Sequence, residues 1–187
     1  INAGCYVFQR DVIQSIPQGR AVSVERETFP GLLKSGARVY GHVDTTYWRD
    51  MGRPSDFVQG SSDLVRGIAP SPLLEGRTGE SLVDDSAGVA GGAILVGGTF
   101  VGRGSTIGAG CRLDDCVIFD GVTVEPGAMI RDSIIASGAR IGANARIQDC
   151  VIGDGVQIGA RCELQGGMRI WPGVNIPDLG VRFSPDA

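Results

Sequence analysis

The feature that most constrains this chain is a spacing of aliphatic residues that neither regular secondary structure produces. Three consecutive segments, LDDCVIFDGVTVEPGAM from residue 113, IRDSIIASGARIGANAR from 130 and IQDCVIGDGVQIGARCE from 147, align at a period of 17 without a gap. Within them Ile, Leu or Val recurs at intervals of five, six and six residues, and the pattern extends both ways. It runs through Val83, Val89, Leu95, Val101, Ile107, Leu113, Ile118, Val124 and Ile130, then Ile135, Ile141, Ile147, Ile152, Ile158, Leu164, Ile170 and Ile176. A helix repeats every 3.6 residues and a strand every two, so neither fits. A coil of three short sides with a corner on each does, with one aliphatic per side facing inward. Residues 83–176 are therefore expected to form a parallel β-helix of a little over five coils. At a strand spacing of about 4.8 Å this is a prism on the order of 25 Å long. Glycine follows many of the aliphatics, as in Val101-Gly102, Ile107-Gly108, Ile141-Gly142, Ile152-Gly153 and Ile158-Gly159, and is read as flexible backbone near the corners.

The chain carries 30 glycines in 187 residues, but not at every third position, which excludes a collagen-like triple helix. A net charge of −4 with no run of Lys and Arg speaks against nucleic acid or a membrane surface as partner and leaves a small molecule or a protein. There is no stretch of eighteen apolar residues, and INAGCYVF at the start lacks the features of a leader peptide, so a cytoplasmic location is expected. The five cysteines, Cys5, Cys111, Cys116, Cys150 and Cys162, form no CxxC pair and no Cys/His cluster. They read as buried small hydrophobes rather than zinc ligands or a disulfide framework.

The first seventy residues have another rhythm. Cys5–Phe8 reads as a strand and Asp11–Ile16 as a short helix ending near Pro17. A second helix starts from Ser23 as N-cap, with Glu25 and Glu27 in its first turn, and runs toward Leu33. A strand over Val39–Val43 follows, and Pro54 opens a helix through Phe57, Val58, Leu64 and Val65. This is an α/β layer with too few strands for a complete sheet, so further strands are expected upstream. Ala69-Pro70-Ser71-Pro72 reads as a stiff linker. The expected organisation is an α/β part over 1–69, a linker over 70–82, the β-helix over 83–176 and a tail over 177–187.

Read by residue type alone, the acidic and amide side chains of the first part stay ambiguous. Asp50 in TTYWRDMGRP can bond turn amides ahead of Pro54 or ligate a metal. Asn2 can cap a strand or hydrogen-bond a ligand, Gly4 can serve strand packing or close approach, and Glu25 can complement a helix dipole or accept hydroxyls. Trp48 reads as packing against the sheet, Arg26, Arg49 and Arg53 are unassigned, and Asp84 with Asp85 reads as a solvated face.

Four motifs in order, NAGCYVF (2–8), SVERETFP (23–30), YWRDMGRPSDF (47–57) and a hexapeptide tail closing in IWPGVNIP (170–177), resemble the second half of the sugar-1-phosphate nucleotidyltransferases. The similarity is closest to their mannose-1-phosphate guanylyltransferase branch. It implies a partial α/β, Rossmann-like nucleotidyltransferase domain followed by a left-handed parallel β-helix. The implied reaction joins GTP to mannose 1-phosphate with release of pyrophosphate and needs Mg2+. It further implies that Asp50 is a metal ligand and catalytic carboxylate, and that Asn2, Gly4 and Glu25 bind the sugar. The family's glycine-rich nucleotide loop, its other metal-binding aspartate and its Glu-Lys-Pro segment are not found in this sequence, so these residues alone are expected to be inactive within a longer protein.

Other readings compete. A dTTP- or UTP-dependent glucose-1-phosphate enzyme has the same architecture. A hexapeptide acyltransferase would place its histidine base on the coils, whereas the only histidine, His42, lies outside them. A non-catalytic regulatory or scaffolding subunit would use the β-helix for assembly. A homo-oligomer through the β-helix is expected, with the tail DLGVRFSPDA covering an open end or Val181 and Phe183 facing a neighbour.

Overall fold

Three ribbons of short parallel strands build the larger part of the structure. The computed structural model describes residues 2–183, with the side chains of Arg182 and Phe183 and all of 184–187 outside the description. The expectations for the tail's last residues and for Phe183 therefore lie outside the described residues. Between Trp48 and Arg49 the chain divides into two compact units.

In the second unit one face of a three-sided column is built from Ile94–Val96, 112–114, 129–131, Arg146–Gln148, Glu163–Gln165 and Val181–Phe183. The next holds Ser81–Val83, Thr99–Val101, 117–118, 134–135, Val151–Ile152 and Arg169–Ile170. The third holds Gly88–Val89, Thr106–Ile107, Thr123–Val124, Arg140–Ile141, Gln157–Ile158 and Asn175–Ile176. All pairs are parallel, and partners such as Leu113, Ile130, Ile147 and Leu164 stack one coil apart. The fold is thus the expected β-helix. Its strands extend from Ser81 to Phe183, beyond the span that the aliphatic pattern marks.

Of the seventeen patterned aliphatics all are buried except Val83, Val89, Leu95 and Ile170. Those four sit on the end coils, where stacking covers an aliphatic from one side only. A second buried register, two residues before each aliphatic, holds small side chains: Thr99, Ser105, Cys111, Cys116, Val122, Ala128, Ser133, Ala139, Ala145, Cys150, Val156 and Cys162. There is no room for more at the inside of a corner. Its hydroxyls are put to use: Thr99 Oγ1, Ser105 Oγ and Ser133 Oγ accept from the amides of Cys116, Val122 and Cys150 on the next coil, at 3.0–3.2 Å. Cysteine fits the same slot, and burial pushes the Cys116 thiol up to about 12 and that of Cys150 up to about 11. Cys5, in the first unit, is exposed, contrary to the expectation for all five.

The glycines after the aliphatics serve a purpose other than flexibility. A Cβ on Gly142 would stand 2.5 Å from the Ala160 nitrogen, and one on Gly108 would stand 2.6 Å from the Pro126 nitrogen. They are required because the backbone of the next coil passes there. The left-handed corner positions lie elsewhere, and one corner uses Asp115, Asp132 and Asp149, at φ 51°, 48° and 51°. Aspartate reaches this region more readily than most L residues.

In the first unit, helix α1 spans Arg10–Ser15, a π-helical turn spans Val24–Thr28, and helix α2 spans Phe29–Lys34. The strands expected over 5–8 and 39–43 do not form. A strand exists only where a neighbour takes its backbone bonds, and none of the described residues does so here. Helix α3, Pro54–Val65, opens at Pro54 as expected. It was grouped by sequence with residues 1–69, but its buried side chains Val58, Ser62, Asp63 and Val65 put it in the second unit, on the column. Ser62 Oγ donates to the Gly97 carbonyl at 2.6 Å, and Phe57 stacks on Phe119 with ring centres 6.4 Å apart.

Two outcomes follow from this packing. Ile141→Ala, at a fully buried site, should cost about 2 to 5 kcal/mol in urea unfolding, whereas Val89→Ala, at a position 41% exposed, should cost under about 1 kcal/mol. The Asp132 carboxyl is held above its ordinary value by loss of water in the tight corner and then by the charge of Asp115. Its contribution to stability is present in acid and lost as pH rises through the raised native value. The melting temperature of Asp132→Asn relative to the parent should therefore become more favourable between pH 3 and pH 7; a difference independent of pH would contradict this.

Candidate functional site

In the first unit, the local fold around Glu25 is set by a cap and a proline. Ser23 Oγ accepts from the Arg26 amide at 3.2 Å, as an N-cap does. Pro30 has no N–H to offer the carbonyl of Arg26 four residues earlier, and the helix widens ahead of it, the Phe29 amide bonding Val24, five residues back. Arg20 holds Glu27 at 2.8 Å, and that hydrogen bond, with a second from the Ser23 amide, keeps the Glu27 carboxyl below the usual carboxylate range.

Glu25 is turned to another partner. Asn2 Nδ2 donates to Glu25 Oε1 and to the Tyr6 hydroxyl, each at 2.7 Å, and the Tyr6 hydroxyl donates to the same Glu25 oxygen at 3.1 Å. The Gly4 amide donates to Asn2 Oδ1 at 2.9 Å, with Gly4 at φ +74°, so the chain turns tightly around the Asn2 side chain. Three of the residues picked from sequence thus form one hydrogen-bonded group. Tyr6 is the member that sequence reasoning missed, because the apolar and aromatic run Cys5–Phe8 cast it as a strand residue; the signal for it was the Tyr6 and Phe8 pair, with ring centres 6.0 Å apart, which packs with Phe29 at 5.2 and 5.8 Å. The group is exposed, and both donors of Asn2 are engaged. What it offers a ligand is acceptor capacity, at Glu25 Oε2 and at the second lone pair of Asn2 Oδ1.

Asp50 belongs to the second unit and is exposed. A Cβ on Gly52 would stand 3.9 Å from Asp50 Oδ2 and equally from Asp56 Oδ2, and Asp56 is engaged by the Arg53 amide at 2.9 Å. Among the described residues no group of three or more His, Cys, Asp or Glu side chains is placed to hold a metal ion. A single accessible carboxylate fits a Mg2+ ion whose remaining ligands are phosphate oxygens and water, and does not fit an ion caged by protein alone. Arg49 is not the solvated side chain that its type suggests: it pairs with Asp63 at 2.8 Å. Trp48 is 45% exposed rather than packed on a sheet. Asp84 caps its own turn, accepting from the Ser86 hydroxyl and amide, which lowers its carboxyl below the ordinary value.

Comparison with known proteins places these groups in a family. A model described as GMPPB C-terminal domain matches residues 77–177, more than half of the chain, and one described as nucleotidyl transferase matches residues 1–67. A mannose-1-phosphate guanylyltransferase of Mycobacterium tuberculosis is 69% identical over all 187 residues. The chain belongs to the mannose-1-phosphate guanylyltransferase family.

Within that family the similarity extends to plants: mannose-1-phosphate guanylyltransferase 1 of Arabidopsis thaliana is 31% identical over 130 residues, covering 67% of this chain. The chain spans 52% of the length of the mycobacterial relative and 36% of the plant one. Among solved structures, a GDP-perosamine N-acetyltransferase from Caulobacter crescentus superposes with a TM-score of 0.54 over 57% of this chain and 51% of its own, at 19% identity. At that identity the likeness is one of fold, the β-helix. No helix among the described residues is long and apolar enough to cross a membrane.

Proposed function

We propose that this chain is the sugar-side and β-helical part of a Mg2+-dependent mannose-1-phosphate guanylyltransferase that joins GTP to mannose 1-phosphate. The observation that supports this above the alternatives is the 69% identity, over the full 187 residues, to a relative of that name. In the reaction a phosphate oxygen of mannose 1-phosphate attacks the α-phosphorus of GTP, a new P–O bond forms, and the bond to the β-phosphate oxygen breaks to release pyrophosphate. Asn2 and Glu25 would accept hydrogen bonds from sugar hydroxyls, with Tyr6 and the Gly4 amide holding them in place. Asp50 would supply one carboxylate oxygen to Mg2+, and the ion when bound neutralises the charge that builds on the phosphate oxygens. A cytoplasmic location accompanies a triphosphate substrate. Assembly of copies through the column belongs to the same reading, since Trp171 and Leu179 on the last coil are 79% and 61% exposed.

The test is made in a polypeptide of the relatives' full length that carries this segment. Pyrophosphate release is measured with a panel of triphosphates and sugar phosphates, and GTP with mannose 1-phosphate is expected to be preferred. Asp50→Ala should abolish most Mg2+-dependent turnover. Asn2→Ala should raise KM for the sugar phosphate by up to about tenfold, the upper end of what one hydrogen bond contributes, with KM for GTP little changed. Preference for UTP or dTTP with glucose 1-phosphate would move the assignment to the other branch.

A further inference from the structure

Asp50 is flanked by residues that are all fastened to helix α3. On one side Arg49 donates from Nε and from Nη2 to a single oxygen, Asp63 Oδ2, at 3.1 and 2.8 Å. Asp63 is nine-tenths buried, its side chain only 5% exposed, and its other oxygen accepts from Gln59 Nε2 at 3.0 Å. On the other side the Met51 side chain lies over Gly60, so close that a Cβ there would collide with its terminal methyl. Two residues further the Arg53 amide donates to Asp56 Oδ2 at 2.9 Å. Asp63, Gly60 and Asp56 lie at intervals of three and four residues on α3, which is one face of a helix. Arg49, Met51 and Arg53 therefore grip that face, and Asp50 and Gly52 between them are left exposed.

Helix α3 is itself fixed to the column through Val58, Val65 and the Ser62 bond to Gly97. A chain of contacts thus runs from the stacked coils, through α3, to the residues on either side of Asp50. An ion pair whose carboxylate is buried while its Arg49 partner stays 32% exposed is a weak source of net stability, and apolar side chains of similar volume would join segment and helix as well. What two donors on one carboxylate oxygen add is a fixed direction.

We infer that Asp63, acting through Arg49, is a positioning residue that holds Asp50 in place to ligate the metal, with the β-helix as the rigid support behind it. This rests on the reading of Asp50 as a metal ligand, and the experiment separates the two. In the full-length polypeptide, Mn2+ binding in the presence of GDP-mannose is followed by electron paramagnetic resonance, with Asp50→Ala as reference. Asp63→Asn and Arg49→Lys are each expected to weaken Mn2+ binding by about tenfold, the loss typical of a residue that orients a ligand, with KM for mannose 1-phosphate within about twofold. Arg49→Lys keeps a cation beside Asp63, so it decides the matter if Asp63→Asn does not fold. A double variant, Arg49→Met with Asp63→Leu, should melt near the parent temperature and still bind Mn2+ weakly; tight binding by that variant would reduce the pair to packing and overturn the inference. Tight binding by Asp63→Asn and Arg49→Lys, where Asp50→Ala binds weakly, would overturn it as well. If Asp50→Ala itself binds Mn2+ like the parent, the ligand reading fails, and amide hydrogen exchange then judges the clamp alone. Faster exchange over residues 50–52 in Asp63→Asn sustains it, and unchanged exchange removes it.

Discussion

The structure of the second unit depends on one constraint: each coil must offer its backbone bonds to the next in the same register on all three faces. Because partners such as Val124 and Ile141, or Ile130 and Ile147, fall one above the other, the inward side chains form columns of like residues. A volume change in one coil is felt by its neighbours above and below, and the fully buried interior holds Ile, Leu and Val on the sides and small residues at the corners, with Met168 entering only at the end coil. The same stacking excludes a Cβ after several of the aliphatics, since the backbone of the next coil occupies that space.

A column of this kind is a stiff support. Its contribution to function runs through what is fastened to it, and helix α3 is the element that it holds. Buried charge is expensive and is seldom found without a reason of geometry. The one buried carboxylate on α3, Asp63, is spent on Arg49, the residue next to the proposed metal ligand. The hexapeptide acyltransferase fold is shared with this chain, yet the residues that carry the proposed chemistry lie off the coils, which is why likeness of fold and likeness of function part company here.

The group in the first unit is organised differently. Asn2, Tyr6 and Glu25 are joined by hydrogen bonds alone, close to a small aromatic cluster, and both amide donors of Asn2 are already engaged. A group whose donors are taken and whose acceptors are open suits a ligand rich in hydroxyls, such as a sugar.

The β-helix was readable from sequence because its period, near six, belongs to no other regular fold and because burial of one aliphatic per side leaves no freedom of residue type. Helix α3, the Ser23 cap and the grouping of Asn2, Gly4 and Glu25 were also visible, through Pro54, a polar cap and motif order. The strands expected at 5–8 and 39–43 were not formed, since strand-favouring residue types record only a preference and pairing needs a partner. Sequence could not reveal why Gly142 must be glycine, that Cys5 differs from the other cysteines, or that Tyr6 joins Asn2 and Glu25. Nor could it show that Arg49 meets Asp63. Local periodicity and residue chemistry fixed which segments coil and which turn. Only the packing of residues distant along the chain decided which charges are buried, which glycines face another backbone and what stands behind Asp50, because such contacts leave no regular spacing for a sequence to display.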